Sequence, residues 1–147
     1  MGLLSRLKSK LGRKSKGADP APLDAERFVY VKIPESIGPV DRGSKYEAEL
    51  DRLLASASVG SVSGGGSSLG ATQPDGTRPI EFCGIDIDVS DLEKARELLR
   101  RALPTLGAPI GTEIQFTIGR AKLQDTFASD GWRLAEPRTF LHPGFNV

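Results

Sequence analysis

The sequence contains one cysteine, one histidine, one methionine and one tryptophan among 147 residues. A single cysteine, Cys83, cannot form an intrachain disulfide, so nothing in the sequence requires an oxidising compartment. One cysteine and one histidine also cannot supply the four sulfur and imidazole ligands of a structural zinc site. Any Cys–His or Ser–His–Asp catalytic set would depend on His142 alone, which disfavours enzymes of those classes.

A strong net charge is also missing, but the charges are unevenly distributed. The formal net charge is +1, and residues 1–17 carry six basic side chains and no acidic ones. The remainder therefore holds 14 of the 20 basic residues against all 19 acidic residues. The chain therefore has a mildly acidic body and a basic N-terminal arm. With 38% hydrophobic and 27% charged residues, the composition is that of a globular protein.

The basic arm, residues 1–17, has the pattern of an amphipathic helix. An apolar stripe at helical spacing is formed by Leu3, Leu4, Leu7 and Leu11. Cations on the other faces include Arg6, Lys8 and Lys10. We expect these residues to contact an anionic membrane surface. A phosphate-binding arm and a solvated terminus remain alternatives, although contacts with phosphate groups gain nothing from an apolar stripe. The apolar run is too interrupted for a signal peptide or a spanning helix.

Residues 28–118 alternate strand and helix patterns. Alternating apolar residues predict strands at 28–33, 80–89 and 113–118, and a glycine-interrupted edge strand with a bulge is expected within 59–72. Ser44 with Glu47, and Ser90 with Glu93, have the spacing of helix-capping boxes. The order β-α-β-β-α-β predicts an α+β, ferredoxin-like sandwich. Two helices would cover one face of a four-stranded antiparallel sheet, in the spatial order 4-1-3-2.

The strand pattern also predicts which side chains face the helices. They are Val29, Val31, Ile33, Ile85, Ile87, Val89, Ile114, Phe116 and Ile118. Residues 18–24 read as a linker, residues 25–118 as the domain, and residues 119–147 as a C-terminal extension that packs on it. Within the extension, Leu123 and Phe127 suit a short helix, and residues 132–135 suit a strand.

Three stretches carry a resemblance to known proteins: GGG at 64–66, IDIDV at 85–89 and GAPIGT at 107–112. With them, residues 28–118 resemble small bacterial proteins of ferredoxin-like build. The resemblance implies the fold and brings no functional residue or cofactor with it. The stretch SGGGSSLG lacks the lysine of a phosphate-binding loop and the glycine spacing of a dinucleotide fingerprint, so a glycine-rich turn is expected there.

The sheet face away from the helices carries the candidate interface. Its members are Phe28, Tyr30, Lys32, Phe82, Asp86 and Asp88. Asp86 and Asp88 should lie about 6.5–7 Å apart on one strand face, a spacing compatible with paired carboxylates or a hard-cation site. The same alternation arises on any strand that has one solvent-exposed face, so the spacing alone does not identify a site. The carboxylates would repel phosphates, which disfavours RNA binding.

The sequence therefore favours a non-enzymatic binding or regulatory domain that acts through protein–protein contacts or self-association. It would be cytoplasmic, with peripheral attachment to the inner face of the membrane through residues 1–17 as an option. One alternative is an immunity-type inhibitor whose acidic body blocks a basic partner. A further alternative is a hydrolase or metal site at Asp86 and Asp88. No cofactor is expected, nucleic acid is disfavoured, and small-molecule binding is left open.

Overall fold

A computed structural model describes residues 24–138 of the chain. Six strands follow one another in this range, and their bounds are β1 (Phe28–Ile33), β2 (Gly60–Leu69), β3 (Ile80–Val89), β4 (Glu113–Ile118), β5 (Ala121–Ala128) and β6 (Gly131–Pro137). They form one antiparallel sheet in the order β2-β3-β1-β4-β5-β6. The α+β class is confirmed, whereas the prediction of a four-stranded sheet is wrong.

Two helical segments accompany the sheet. The first runs without a break through α1 (Pro39–Arg42), a π-helical turn (Gly43–Glu47) and α2 (Ala48–Ser56). The second is α3 (Leu92–Thr105), and a short 3₁₀ turn (Ala25–Arg27) precedes β1. Both helical segments pack on one face of the sheet, where their leucines and the inward strand residues form a single core.

The two additional strands account for the error in strand number. Leu123 and Phe127 are four residues apart, a spacing that suits a helix, but both lie in β5. A two-residue turn with Gly119 at φ +62° joins β4 to β5, and a second hairpin adds β6. Hairpin pairing extends the sheet at the β4 side, and it overrides the weak helical spacing. The strand expected at residues 132–135 is present within β6.

The predicted core is confirmed at eight of its nine strand positions. Val29, Val31, Ile33, Ile85, Ile87 and Ile114 are fully buried, and Val89 and Phe116 nearly so. Ile118 is wrong, because 46% of its surface is exposed. It is the last residue of β4 and pairs with Ala121 at the hairpin turn. Cys83 is a free thiol buried in the core, and burial raises its pKa to about 11.

Both predicted helix caps are wrong. Gly38 and Pro39 begin the first helical segment, so Ser44 lies inside it and donates its hydroxyl to the Val40 carbonyl. Helix α3 is capped by Asp91, whose carboxylate accepts from the Lys94 amide. Serine and aspartate are both favoured at this position, and the backbone bend falls one residue later than the spacing suggested.

The predictions for the arm at residues 1–17, its leucines and cations, and the tail residue His142 lie outside the described residues. In the range 24–138, no helix has both the length and the apolar character needed to cross a bilayer.

Candidate functional site

The triple glycine belongs to a strand at the edge of the sheet. Residues 64–66 lie in β2, which, among the strands of residues 24–138, pairs with β3 alone. The register shifts between Val62 and Gly64, so a β-bulge interrupts the first part of the strand. The predicted edge strand with a bulge is confirmed, and the expectation of a turn at the triple glycine is not. The strand is ten residues long and holds neither a charged residue nor a proline.

Two of the three glycines lie in close contact with neighbouring groups, and the contact is tightest at Gly65. A Cβ at Gly65 would lie 2.6 Å from a Glu47 carboxylate oxygen and 3.0 Å from Nε of Arg42. Arg42 is nearly buried and forms an ion pair with Glu47, and it donates to the Ser67 hydroxyl at 3.1 Å. The α1 side of the core thus packs an ion pair directly against the strand backbone. A Cβ at Gly64 would meet the Asp86 carboxylate at 3.3 Å.

The register identifies which backbone groups of β2 face away from the sheet. The Val62 amide donates to the Asp51 carboxylate, so it points away from β3. Val62, Gly65 and Ser67 pair with Ile87, Ile85 and Cys83, which are successive residues of one parity on β3. Backbone groups alternate sides along an antiparallel strand, so Gly65 and Ser67 also direct their N–H and C=O outward. Asp51 caps the first of these positions.

Carboxylates predominate around this free edge. Glu47 and Asp51 flank it on the helical side, and Asp86 and Asp88 lie opposite Gly64 and Ser61 on the other face. Arg42 is paired with Glu47. Two further cations lie nearby, since Arg78 donates to the Gly70 carbonyl just after β2 and Lys32 lies over Phe82 on the outer face. A cleft of about 320 Å³ opens beside the edge, between the start of α2 and Val62. Within residues 24–138, this free edge therefore combines outward backbone groups at Gly65 and Ser67 with nearby carboxylates.

The aromatic residues of the outer sheet face are less accessible than the sequence suggested. Phe28 is 4% exposed and Tyr30 is 9% exposed, and Ala25 of the 3₁₀ turn packs against them. The Tyr30 ring lies over Gly84, where a Cβ would stand 2.0 Å from the phenol oxygen. Burial and the neighbouring Asp86 carboxylate raise the pKa of Tyr30 to about 12. Phe28 and Tyr30 therefore consolidate the sheet.

The remaining predicted interface residues keep their expected places. Asp86 pairs with Tyr30 and Asp88 with Phe28 across β3 and β1. The Lys32 ammonium lies 4.7 Å from the centre of the Phe82 ring. Neither Tyr30 nor Phe28 supplies a third carboxylate to the two aspartates. Within residues 24–138, no three His, Cys, Asp or Glu side chains are grouped to bind a metal ion.

A buried charge cluster on the helical side of the sheet was missed by the sequence reasoning. Asp125 is fully buried in β5 and accepts two hydrogen bonds from Arg96, at 3.0 and 2.7 Å, and one from Arg100 at 2.9 Å. The Ala135 amide of β6 donates to it at 2.9 Å. The cluster joins the β5–β6 hairpin to α3. The available signal was Arg96, an arginine between the inward residues Ala95 and Leu98 of the helix.

A second polar contact lies where β1 ends. Glu35 accepts from Lys45 at 2.6 Å and from the hydroxyl of the buried Tyr46. Burial alone would raise the pKa of Glu35, but the bonds from Lys45 and Tyr46 outweigh it and hold the pKa below its ordinary value of 4.5. Burial and the Glu35 carboxylate raise the pKa of Tyr46. These groups fix the π-helical turn against β1.

Comparison with known proteins adds no assignment. The sequence matches no protein-family model, and searches of curated proteins and of solved structures return no match.

Proposed function

We propose that this protein is a non-enzymatic binding domain that takes up an extended, basic segment of a partner protein along the free edge of β2. The partner strand would pair with the outward backbone groups of Gly65 and Ser67, in the manner of β-strand addition. The observation that carries the proposal is an edge strand with no charge and no proline over ten residues. Edge strands of monomeric proteins normally carry such residues to prevent pairing.

The charge around the edge supports a basic partner. Glu47, which is paired with Arg42, and Asp51 line the cleft beside the strand, and Asp86 and Asp88 lie on the neighbouring strand β3. Positive side chains that flank an incoming strand would find carboxylates on both faces of the sheet. Such complementarity accelerates association and weakens as salt rises. An inhibitor of a basic partner would use the same edge, so it remains the alternative within the same mode of binding.

We also propose that the first four strands and the two helical segments form a ferredoxin-like core. The strand order β2-β3-β1-β4 and the position of both helical segments on one face support this assignment. The β5–β6 hairpin would then be an addition beside β4, which leaves β2 as an edge.

Selection of random twelve-residue peptides displayed on phage tests the binding proposal. We expect the full chain to enrich peptides with lysine or arginine beside β-branched residues. Calorimetry with the best peptide then compares Ser67→Pro with Ser67→Ala. Proline removes the outward N–H and leaves the β2–β3 ladder intact, whereas alanine removes only the hydroxyl that Arg42 binds.

We expect Ser67→Pro to weaken binding at least about tenfold, which corresponds to about 1.4 kcal/mol. Ser67→Ala should stay within about twofold of the parent. Equal affinities for the two variants, or the failure of any peptide to be enriched, would reject strand addition at this edge.

A further inference from the structure

The outer sheet face, which is the face away from the helices, is buried at a row of polar residues. Tyr30 pairs with Gln115, and Gln115 pairs with Gln124, so these three residues lie side by side across β1, β4 and β5. Gln115 is 1% exposed and Gln124 is 4% exposed, although glutamine is mostly exposed in folded proteins. The uncovered face of an antiparallel sheet normally keeps such residues in contact with water.

Among the described residues, the 3₁₀ turn covers part of this face. Its Ala25 packs against Phe28 and Tyr30 at the start of β1. Gln124 lies on β5, which is separated from β1 by β4, and one methyl group does not extend that far. Neighbouring side chains on a sheet shield the flanks of a residue, but not its outer end. The burial of the row therefore calls for a further covering segment.

The end of the Gln115 side chain shows the same need. Its Nε2 donates to Glu113 Oε1 at 3.0 Å, whereas its Oε1 is buried and accepts no hydrogen bond from residues 24–138. A buried acceptor without a donor is unfavourable. An extended segment laid over the row would bring backbone N–H groups that can donate to this oxygen.

The chain leaves the described range at this face. Arg138, the last described residue, donates its amide to the Lys122 carbonyl at 3.0 Å and its guanidinium to Thr117 Oγ1 at 3.3 Å. Thr117 is two residues beyond Gln115 on β4, so it lies on the outer face as well. Residues 139–147 would span about 30 Å when extended. Three strand spacings, from β5 to β3, amount to about 14 Å, so this segment is long enough to cross the row.

We propose that residues 139–147 fold back over the outer sheet face and cover it. Their sequence, TFLHPGFNV, offers Phe140 and Phe145 to the aromatic part of the face and contains no acidic residue, lysine or arginine. The side chains of the buried row are likewise uncharged. Phe28 and Tyr30 would then be occupied within the chain, which leaves the edge of β2 for a partner. The inference does not depend on the proposed function at that edge.

The basic N-terminal arm fits this face less well. Residues 1–17 carry six cations and no acidic side chain, and laying them over an uncharged, buried row would cost their hydration. Asp24, the first described residue, has an exposed side chain that pairs with the exposed Arg27. Arg138, in contrast, is already bonded to the outer face.

Nuclear Overhauser spectroscopy of the full chain tests the proposed cover directly. We expect contacts from the ring protons of Phe140 or Phe145 to the side-chain amides of Gln115 and Gln124. An isotope-filtered experiment on mixed labelled and unlabelled chains separates contacts within one chain from contacts between two copies. Contacts from the arm or the linker instead, contacts only between copies, or no contact from either phenylalanine would overturn the proposal.

A double substitution in the full chain measures what the cover contributes to stability. Phe140→Ser combined with Phe145→Ser should raise the equilibrium constant for unfolding at least about tenfold, because it removes the apolar cover. Urea denaturation measures the change. Leu134→Ser is the matched control, since Leu134 is exposed on β6, and it should stay within about threefold of the parent. A double variant no less stable than this control would overturn the proposal.

Discussion

The two outermost strands of the sheet, β2 and β6, differ in how well their outward backbone groups are protected from pairing with another strand. Beyond the bulge at Val62, β2 runs through glycines and serines with no charged residue. Strand β6 carries Arg133 and Glu136, ends at Pro137 and is distorted at Ala135, which has φ +52°. Charge, proline and irregular backbone are the devices that keep edge strands from pairing. Strand β6 has all three devices, whereas β2 has only irregular backbone, at the register shifts after Val62 and after Ser68. Within residues 24–138, β2 is therefore the less protected edge, and we call it the open edge.

The same difference extends to what lies beneath each edge. Strand β6 is fastened to α3 through Asp125, and the Trp132 indole donates to the Arg100 carbonyl at 3.0 Å. The Phe127 and Trp132 rings stack with their centres 5.0 Å apart. Under β2, Val62 packs on the core, and the Arg42–Glu47 ion pair lies against Gly65, where an added Cβ would be within 3.0 Å of both side chains. Side chains fasten β6 to α3, whereas β2 directs backbone groups outward at Gly65 and Ser67.

The largest effect is expected where the protected edge is fastened. Asp125→Ala leaves Arg96 and Arg100 without their shared carboxylate in a buried site, and it should lower the free energy of unfolding by about 3–5 kcal/mol. Urea denaturation measures the change. Glu93→Ala is the matched control, because Glu93 contacts Arg96 only through an exposed carboxylate and should cost less than about 0.5 kcal/mol. A loss below about 1 kcal/mol for Asp125→Ala would show that the cluster does not hold β6.

Adjacent glycines of β2 should respond in opposite directions. Gly65→Ala forces a methyl group against Glu47, Arg42 and the Gly84 carbonyl, and it should cost about 1–3 kcal/mol. Gly66→Ala meets no atom within 4 Å. It should be neutral or stabilise by about 0.4–1 kcal/mol, since alanine restricts the unfolded chain. Thermal denaturation compares the two, and equal effects would contradict the packing of the ion pair on the strand.

A charged side chain added to β2 should weaken peptide binding and leave the stability of the fold unchanged. Gly66→Lys adds to β2 the kind of charge that β6 carries, in a position with room for a side chain. We expect it to weaken the selected peptide about fivefold, or about 1 kcal/mol. Leu134→Lys makes the same addition on β6, where 54% of the leucine surface is exposed, and should leave affinity unchanged. Calorimetry would contradict the comparison if the second variant weakened binding as much as the first.

The smallest effect is spectroscopic and concerns Tyr30, which packs over Gly84 on the sheet face away from the helices. Its pKa rises from 10 to about 12, so its contribution to stability is complete below pH 10 and is lost as the pH rises through 12. The chain has two tyrosines, and the pKa of Tyr46 is raised as well. Phenolate absorbance at 295 nm should therefore be nearly absent at pH 10.5. A tyrosine that ionises with a midpoint near pH 10 in the parent but not in Tyr30→Phe would show that Tyr30 is not buried.

The sequence was sufficient for strands β1, β3 and β4 and for eight of the nine predicted core positions, because alternation in stretches such as IDIDV reports directly on burial. It failed where pairing depends on distant residues. Leu123 and Phe127 could be placed in a strand only by knowing that β4 turns back at Gly119. Asp125 gave no signal, because its partners are more than twenty residues away on α3.

The candidate site at the edge of β2 also depends on contacts that the sequence does not reveal. The stretch 59–72 predicted an edge strand with a bulge. The outward direction of Gly65 and Ser67, however, follows from the register with β3 and from the bond between Val62 and Asp51. The aromatic face was identified correctly by residue, and its burial at Phe28 and Tyr30 was not foreseen, because exposure depends on what packs on a strand.

Amide hydrogen exchange resolved by residue tests the central claim most directly. In the free protein the Gly65 and Ser67 amides should exchange rapidly, because they face away from β3. Addition of the selected basic peptide should slow both at least about tenfold, while the amides of β6 keep their rates. Slowing along β6, or binding that leaves Gly65 and Ser67 unchanged, would contradict the account.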